Sequence, residues 1–278
     1  MSPDDLQAAV ELLAALPAPP PEEVRPVVEA LLTALESGRV RAAVPDGGSW
    51  RVNAWVRRGI VLAFRSGVNA DAAVGPVFRF RDRDWLLPDG SPPPHGVRIV
   101  PGGTVVRRGA HLEPGVVVMP PAYVNVGAWV GERSMIDSHA LVGSCAQVGR
   151  DVHLSAASQI GGVLEPVGAL PVIVEDGVFV GGGCGIYEGT RVRARAVLAA
   201  GVILARSVPL FDLVHGRVLR AGSAVPLDVP EGAVVVPGAR PAAGEYAARL
   251  GIHLQAPVIA KYRDDATDAA SALEEALR

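Results

Sequence analysis

Catalysis needs side chains that exchange protons or hold charge, and in this chain they crowd into one short run. Met135-Ile136-Asp137-Ser138-His139 sets a carboxylate two positions from an imidazole. A carboxylate such as Asp137 can hold a substrate ammonium and accept a proton from it, and an imidazole such as His139 is a general base suited to neutral pH. His153 and His111 are further general-base candidates, although a single histidine on a polar strand face is ordinarily only solvated. A zinc site needs closely spaced ligands; His139 and His153 lack a His-x4-His spacing, so no bound metal is expected. Cys145 and Cys184 form neither a CxxC nor a Cys/His cluster and read as small fillers in a reducing compartment. Lys261 is the only lysine, which argues against Schiff-base chemistry. No P-loop, strand-borne GxGxxG, GxSxG elbow or HExxH stands in a fitting context. Gly161-Gly162 and Gly181-Gly182-Gly183 are glycine-rich; such glycines are ordinarily corners, and alternatively form a flat backbone surface for a thread-like pantetheine arm.

The element that must position these residues is a repeat of six. From Val100 an aliphatic residue recurs at Val106, Leu112, Val118 and onward through Ile136 and Leu154 to Ile160. Four places after each stands a small or short-branched residue, as at Ala110, Ala128, Ala146 and Ser158. The pattern resumes at Val174 and runs to Leu204 past the stretch Gly161–Pro171, which reads as two added residues; Cys184 falls in the small slot. Six is neither a helical period nor strand alternation, so each hexad is a short strand plus a corner, and three make one triangular turn of a parallel β-helix. Coils then run roughly 100–117, 118–135, 136–153, 154–173, 174–191 and 192–209. The axis is filled by the aliphatic stack, so ligands must bind outside, typically between neighbouring chains.

Flanking zones complete the organisation. Ser2 caps a first helix with Pro3 at its first position and Leu6, Val10 and Leu13 on one face, ended by Pro17–Pro21. A second carries Val24, Val27, Val28, Leu31, Leu32 and Leu35 on one face before Gly38. The stretch Val40–Phe80 shows no clean period, and Asp89–Pro94 is turn chemistry that marks a boundary. After Asp212 come a hairpin-like Val214–Val236 and an Ala/Leu/Glu helix near Thr267–Leu277. The expected units are 1–95, 96–210 and 211–278. Composition sets bounds: 278 residues suffice for a core of their own, and 26 basic against 29 acidic residues offer no field for nucleic acid. With no basic leader before an apolar stretch and no apolar run near 18 residues, neither secretion nor a membrane partner is expected, and the compartment is read as cytoplasmic.

The residues also carry a resemblance. Met119-Pro120, Tyr123-Val124-Asn125-Val126-Gly127-Ala128, Gly143-Ser144-Cys145-Ala146-Gln147 and Gly162-Val163-Leu164-Glu165-Pro166 are similar to the tetrahydrodipicolinate N-succinyltransferases, a family of hexapeptide acyltransferases. The likeness is dense over Arg98–Glu188 and looser before and after, with Trp55 and Val61–Arg65 similar to the family's helical cap. It implies a mainly β fold: a left-handed parallel β-helix with an N-terminal helical domain and a C-terminal mixed cap, the hand coming from the resemblance alone. It also implies a cytoplasmic homotrimer with each active site between two chains and acyl-CoA along the groove. Asp137 matches the family's substrate-binding and catalytic aspartate, and Arg98 its substrate-binding arginine. Gly162, Gly182 and Gly201 are the positions expected along the CoA.

The sequence also departs from the pattern it resembles. Where the family reads Gly-Ala-Arg-Ser-Glu-Ile-Val-Glu-Gly, this sequence has Gly181-Gly182-Gly183-Cys184-Gly185-Ile186-Tyr187-Glu188-Gly189. The catalytic glutamate's place is Gly185 and the arginine's is Gly183, which is expected to enlarge that wall of the site; only Glu188 survives. His139 replaces a tryptophan. Asp137, helped by His139, is then expected to carry proton transfer, with Glu188 as the remaining catalytic carboxylate. The expected partners are succinyl-CoA or acetyl-CoA and an amino-dicarboxylate of the lysine/diaminopimelate type. The alternatives are a paralogue using acetyl-CoA in a lysine-related, tabtoxin-like pathway, and an inactive trimeric scaffold.

Overall fold

The computed structural model describes residues 1–87, 92–222 and 225–264. Three helices open the chain: α1 (Pro3–Ala15), α2 (Pro21–Glu36) and α3 (Ala54–Ser66). The cap of α1 is as its sequence requires: the Ser2 hydroxyl accepts from the Asp5 N–H at 3.2 Å and donates to its carboxylate at 2.6 Å. All the periodic apolar residues of α1 and α2 are buried, and α3 crosses α2 closely enough that a Cβ on Gly59 would lie 2.3 Å from Leu31 Cδ2. The aperiodic stretch after α2 holds two antiparallel hairpins, Ala43–Asp46 with Ser49–Val52 and Asn69–Val74 with Phe78–Arg83, on either side of α3. Strands of four to six residues, with Ala43 the only fully buried residue of the first hairpin, are too short to display a clean period. The boundary expected at Asp89–Pro94 lies partly, and the helix at Thr267–Leu277 wholly, outside the described residues.

From Arg98 onward two-residue strands stack in parallel into three sheets, the faces of a triangular prism. Face one holds Arg98–Ile99, Val117–Val118, Met135–Ile136, His153–Leu154, Phe179–Val180 and Val197–Leu198. Face two runs from Val105–Val106 to Ile203–Leu204, and face three from His111–Leu112 to Asp228–Val229. Val118, Ile136, Leu154, Val180 and Leu198 form one inward column with no solvent exposure. Each such side chain contributes roughly 1.5–3 kcal/mol of burial, so the stack supplies the cohesion no single turn has.

Three expectations need correction. Ile99, not Val100, pairs with Val118 and packs on the core, so the first rung is shifted by one and Arg98 faces outward. The stretch after Ile160 adds eight residues, not two: Val148 pairs with Val174, 26 positions on, where Val130 pairs with Val148 at 18. A period of six cannot distinguish two extra residues from eight. The coil assigned to 154–173 therefore ends near 179, and Val174 belongs to face three. The C-terminal hairpin starts at Leu210–Asp212 and returns at Arg217–Leu219; the strands at 228–229 and 233–236 rejoin the prism as rungs, and Val258–Tyr262 closes its end.

The helical part docks on face three. Arg108 pairs with Glu29 and Glu36, the His111 ring meets the Glu36 carbonyl at 2.7 Å, and the Arg41 guanidinium lies 3.8 Å over Trp129. Arg107, just after a face-two strand, pairs with Asp82 and lies over the Phe64 ring of α3, whereas Arg98, Asp137 and His139 lie on face one and its corner with face two.

Candidate functional site

The corner between faces one and two repeats once per coil, and a ladder of backbone bonds aligns its turns. His139 N–H donates to Pro121 O, Ala157 N–H to Ser138 O, Gly183 N–H to Ala156 O and Gly201 N–H to Gly182 O, at 2.6 to 2.9 Å. Asp137, His139, Gly182 and Gly201 consequently share one edge of the prism. The eight-residue insertion is what places Gly182 there, since it sets Val180 on the face of Ile136. Asp137 points outward because Ile136 beside it points in; its Oδ1 accepts the Ser138 N–H at 2.7 Å, and its Oδ2 has no partner among the described residues. His139 occupies the left-handed corner position at φ 62° and is exposed. Its ring is not hydrogen-bonded to Asp137. His153 lies buried on face one, edge-on to Phe179, and His111 is held against the helices, so neither shares this edge.

Arg98 stands on the same face as Asp137. It aligns with Val117, which aligns with Met135, so Arg98 and Asp137 are two rungs apart, roughly 10 Å in height, and two residues apart along the strand. Among the described residues the Arg98 guanidinium has no ion pair or hydrogen bond. An exposed, unpaired guanidinium near an outward carboxylate suits a ligand bearing a carboxylate at one end and an amine at the other.

The glycines divide. A Cβ on Gly162 would lie 2.6 Å from Ser144 N, so the approach of adjacent coils accounts for that residue. Gly201 has φ +79°, a corner conformation, and a Cβ there would lie 4.0 Å from Pro237 Cγ. Gly182 is required by neither, its Cβ meeting Ala156 O at an ordinary 3.4 Å, and its N–H has no partner among the described residues. A free backbone donor on the Asp137 edge fits a thread-like ligand with amide oxygens.

Glu188 and Gly162 lie on the next edge, between faces two and three. The inserted loop folds over this edge and, with Tyr187, Glu188 and Arg206, lines a groove of about 780 Å³. Glu188 also sits at a left-handed corner, and its Oε2 accepts the Arg206 N–H at 2.8 Å from the next coil. Two rungs and the width of a face separate it from Asp137, so within one protomer the two carboxylates do not meet. Gly185 does not enlarge the wall as expected: the Tyr187 ring covers it. No group of three or more His, Cys, Asp and Glu side chains gathers as a metal site among the described residues. No helix among them is long and apolar enough to cross a membrane.

Comparison with known proteins bears on the whole chain. The family profile for the tetrahydrodipicolinate N-succinyltransferase N-terminal region matches residues 6–66, and that for the hexapeptide repeat of succinyl-transferases matches 171–206. A 2,3,4,5-tetrahydropyridine-2,6-dicarboxylate N-succinyltransferase of Polynucleobacter asymbioticus is 40% identical over 93% of this chain and 91% of its own. The chain belongs to the tetrahydrodipicolinate N-succinyltransferase family. Enzymes of the same name from Paramagnetospirillum magneticum and Cereibacter sphaeroides are 40% and 37% identical, each covering 92% of this chain and 90% of its own. Membership agrees with the fold, a left-handed parallel β-helix behind an N-terminal helical domain. Two residues of this family member escape a reading by motif. Arg57, fully buried, reaches from α3 to the carbonyls of Pro166, Val167 and Ala169 and so holds the inserted loop. Tyr187 belongs to no motif; Gly161 and Gly185 make room for its ring, a relation visible only once the rungs are stacked.

Proposed function

We propose that this protein transfers an acyl group, succinyl by family precedent, from coenzyme A to the amine of an amino-dicarboxylate of the lysine/diaminopimelate type. The observation that carries this reading is the placement of unpaired Arg98 and outward Asp137 on one face, in a chain 40% identical to named succinyltransferases. Acetyl-CoA is the rival donor.

Acyl transfer from a thioester to an amine needs a neutral amine, an acceptor for its proton and donors for the oxyanion. In this reading Arg98 grips a substrate carboxylate, and Asp137 holds the ammonium, which releases one proton to solvent; Asp137 then takes the second proton as the neutral nitrogen attacks the thioester carbonyl. The tetrahedral oxyanion then collapses to the amide carbonyl as the C–S bond breaks, and CoA leaves as the thiol, taking the proton that Asp137 accepted. His139, two residues on and exposed, assists that transfer. Gly182 and Gly201 border the CoA, and the Gly182 N–H supplies a backbone donor.

Asp137 and Glu188 lie on different edges, which supports a site shared between two protomers of a homotrimer; the compartment we propose is the cytoplasm. There Glu188 of one chain faces Asp137 of the next. The divisions 1–95, 96–210 and 211–278 are kept as the working domain boundaries; an apolar cluster centred on the helical part supports the first division, whereas Val229, Val235 and Ile259 belong to the prism's own core. A thiol-release assay with succinyl-CoA and acetyl-CoA against 2-amino-dicarboxylates tests the reading. Wild-type protein should release thiol with one donor, and Asp137→Asn, which keeps the Ser138 bond, should lower kcat by about 100-fold or more. Full activity in Asp137→Asn removes Asp137 as the base.

A further inference from the structure

Tyr187 is a feature of the second edge that the hexapeptide repeat does not require. Ile186 turns into the core with no exposure, so its neighbours Gly185 and Tyr187 both face outward. A Cβ on Gly185 would stand 2.5 Å from Tyr187 Cε2 and 2.8 Å from its hydroxyl. On the preceding rung, a Cβ on Gly161 would stand 2.9 Å from Tyr187 Cδ1. The ring therefore lies back along the sheet in a bed formed by two glycines, and no L side chain enters either position without displacing it. The half-buried phenol lines the groove that Glu188 and Arg206 also border. Among the described residues its hydroxyl has no hydrogen-bond partner. A donor fixed by packing and unsatisfied within the protein is placed for an acceptor from outside.

We infer that Tyr187 is a specificity-determining residue: its ring fills the side-chain space above Gly185, and its hydroxyl donates a hydrogen bond to an oxygen of a bound substrate. This rests on the acyl-transfer reading above. A carboxylate at that place repels an anionic substrate oxygen, whereas a phenol donates to it. The oxygen is either the acyl donor's carbonyl or the acceptor's carboxylate, both hydrogen-bond acceptors, and kinetics separate them.

The test compares wild type with Tyr187→Phe, which removes one oxygen atom and keeps the ring. Thiol release should fall at least tenfold in kcat/KM with an unchanged melting temperature. A rise in the acceptor's KM assigns the hydroxyl to the acceptor carboxylate; a rise in the donor's KM or a fall in kcat assigns it to the thioester. Activity within twofold of wild type overturns the inference. Should wild type itself release no thiol with either donor, the acyl-transfer reading fails, and calorimetric binding of 2-aminopimelate and of succinyl-CoA then decides: weaker binding of one in Tyr187→Phe supports the inference, and equal binding of both overturns it. Separately, Gly185→Glu should lower the melting temperature by about 5 °C, and Gly185→Glu with Tyr187→Val should recover it. An unchanged melting temperature in Gly185→Glu means the ring does not occupy that space and also overturns the inference.

Discussion

The Arg57 guanidinium stands against the Cys145 thiol inside the seam between α3 and the prism, both residues without solvent exposure. Burial lowers the guanidinium's pKa from its ordinary value and the nearby thiol partly offsets this, so Arg57 remains the charged tie between helices and inserted loop. Its Nη1 serves three loop carbonyls at once. Arg57→Met removes those donors and leaves the carbonyls unmatched, an expected loss of about 2–3 kcal/mol. Hydrogen exchange should then accelerate across residues 163–170 before the prism strands respond. Uniform acceleration throughout would mean that Arg57 supports the whole fold and not the loop.

The same seam predicts silent thiols. Burial pushes the Cys145 thiol up to about 11 against the opposing pull of Arg57, and burial likewise raises Cys184. A thiol that is both protonated and inaccessible does not attack a disulfide reagent. Native protein at pH 8 should show no reaction of either cysteine with an aromatic disulfide over minutes, and two equivalents after denaturation. The thiol-release assay can thus be run without background; prompt labelling of the native protein would place one cysteine at the surface.

Arg98 is expected to act through binding. Arg98→Lys keeps the charge but loses the two-pronged grip, and Arg98→Ala loses both. KM for the dicarboxylate should rise about tenfold in the first and about 100-fold in the second, with KM for acyl-CoA unchanged. Loss confined to the acyl-CoA term would move Arg98 to the donor side of the site.

At the far end of the prism Asp212 accepts from His215, Arg217 and Tyr262, each at 2.9 Å, with no exposure of its own side chain. Burial raises its pKa, but the three donors outweigh it and hold the carboxyl well below the usual range. A depressed folded value means the stabilisation is complete above the unfolded value, about 3.9, and drains away as pH falls toward the folded value. Because His215 and Arg217 are half exposed, the expected cost of Asp212→Asn is held to about 2 kcal/mol at pH 7. The gap in melting temperature between wild type and this variant should narrow below about pH 4. A gap that stays constant down to pH 2 would show that its charge contributes nothing.

Much of this molecule was legible in its residues. Apolar spacing identified α1 and α2, and the six-residue period identified the prism and its inward column, because each aliphatic residue must repeat wherever a strand meets the axis. The same pattern put Asp137 outward beside Ile136. Likeness to a family, not periodicity, pointed to Arg98 and Glu188.

Register and neighbours were decided only in three dimensions. A period of six is blind to additions that preserve its phase, so the eight-residue step after Ile160 and the one-residue shift at Ile99 had to be seen in the strand pairing. Those two offsets place Gly182 on the Asp137 edge and turn Arg98 to solvent. Tyr187 covers Gly185 because Gly161, distant in the chain, lies on the neighbouring rung, and stacking of that kind has no trace along a single strand.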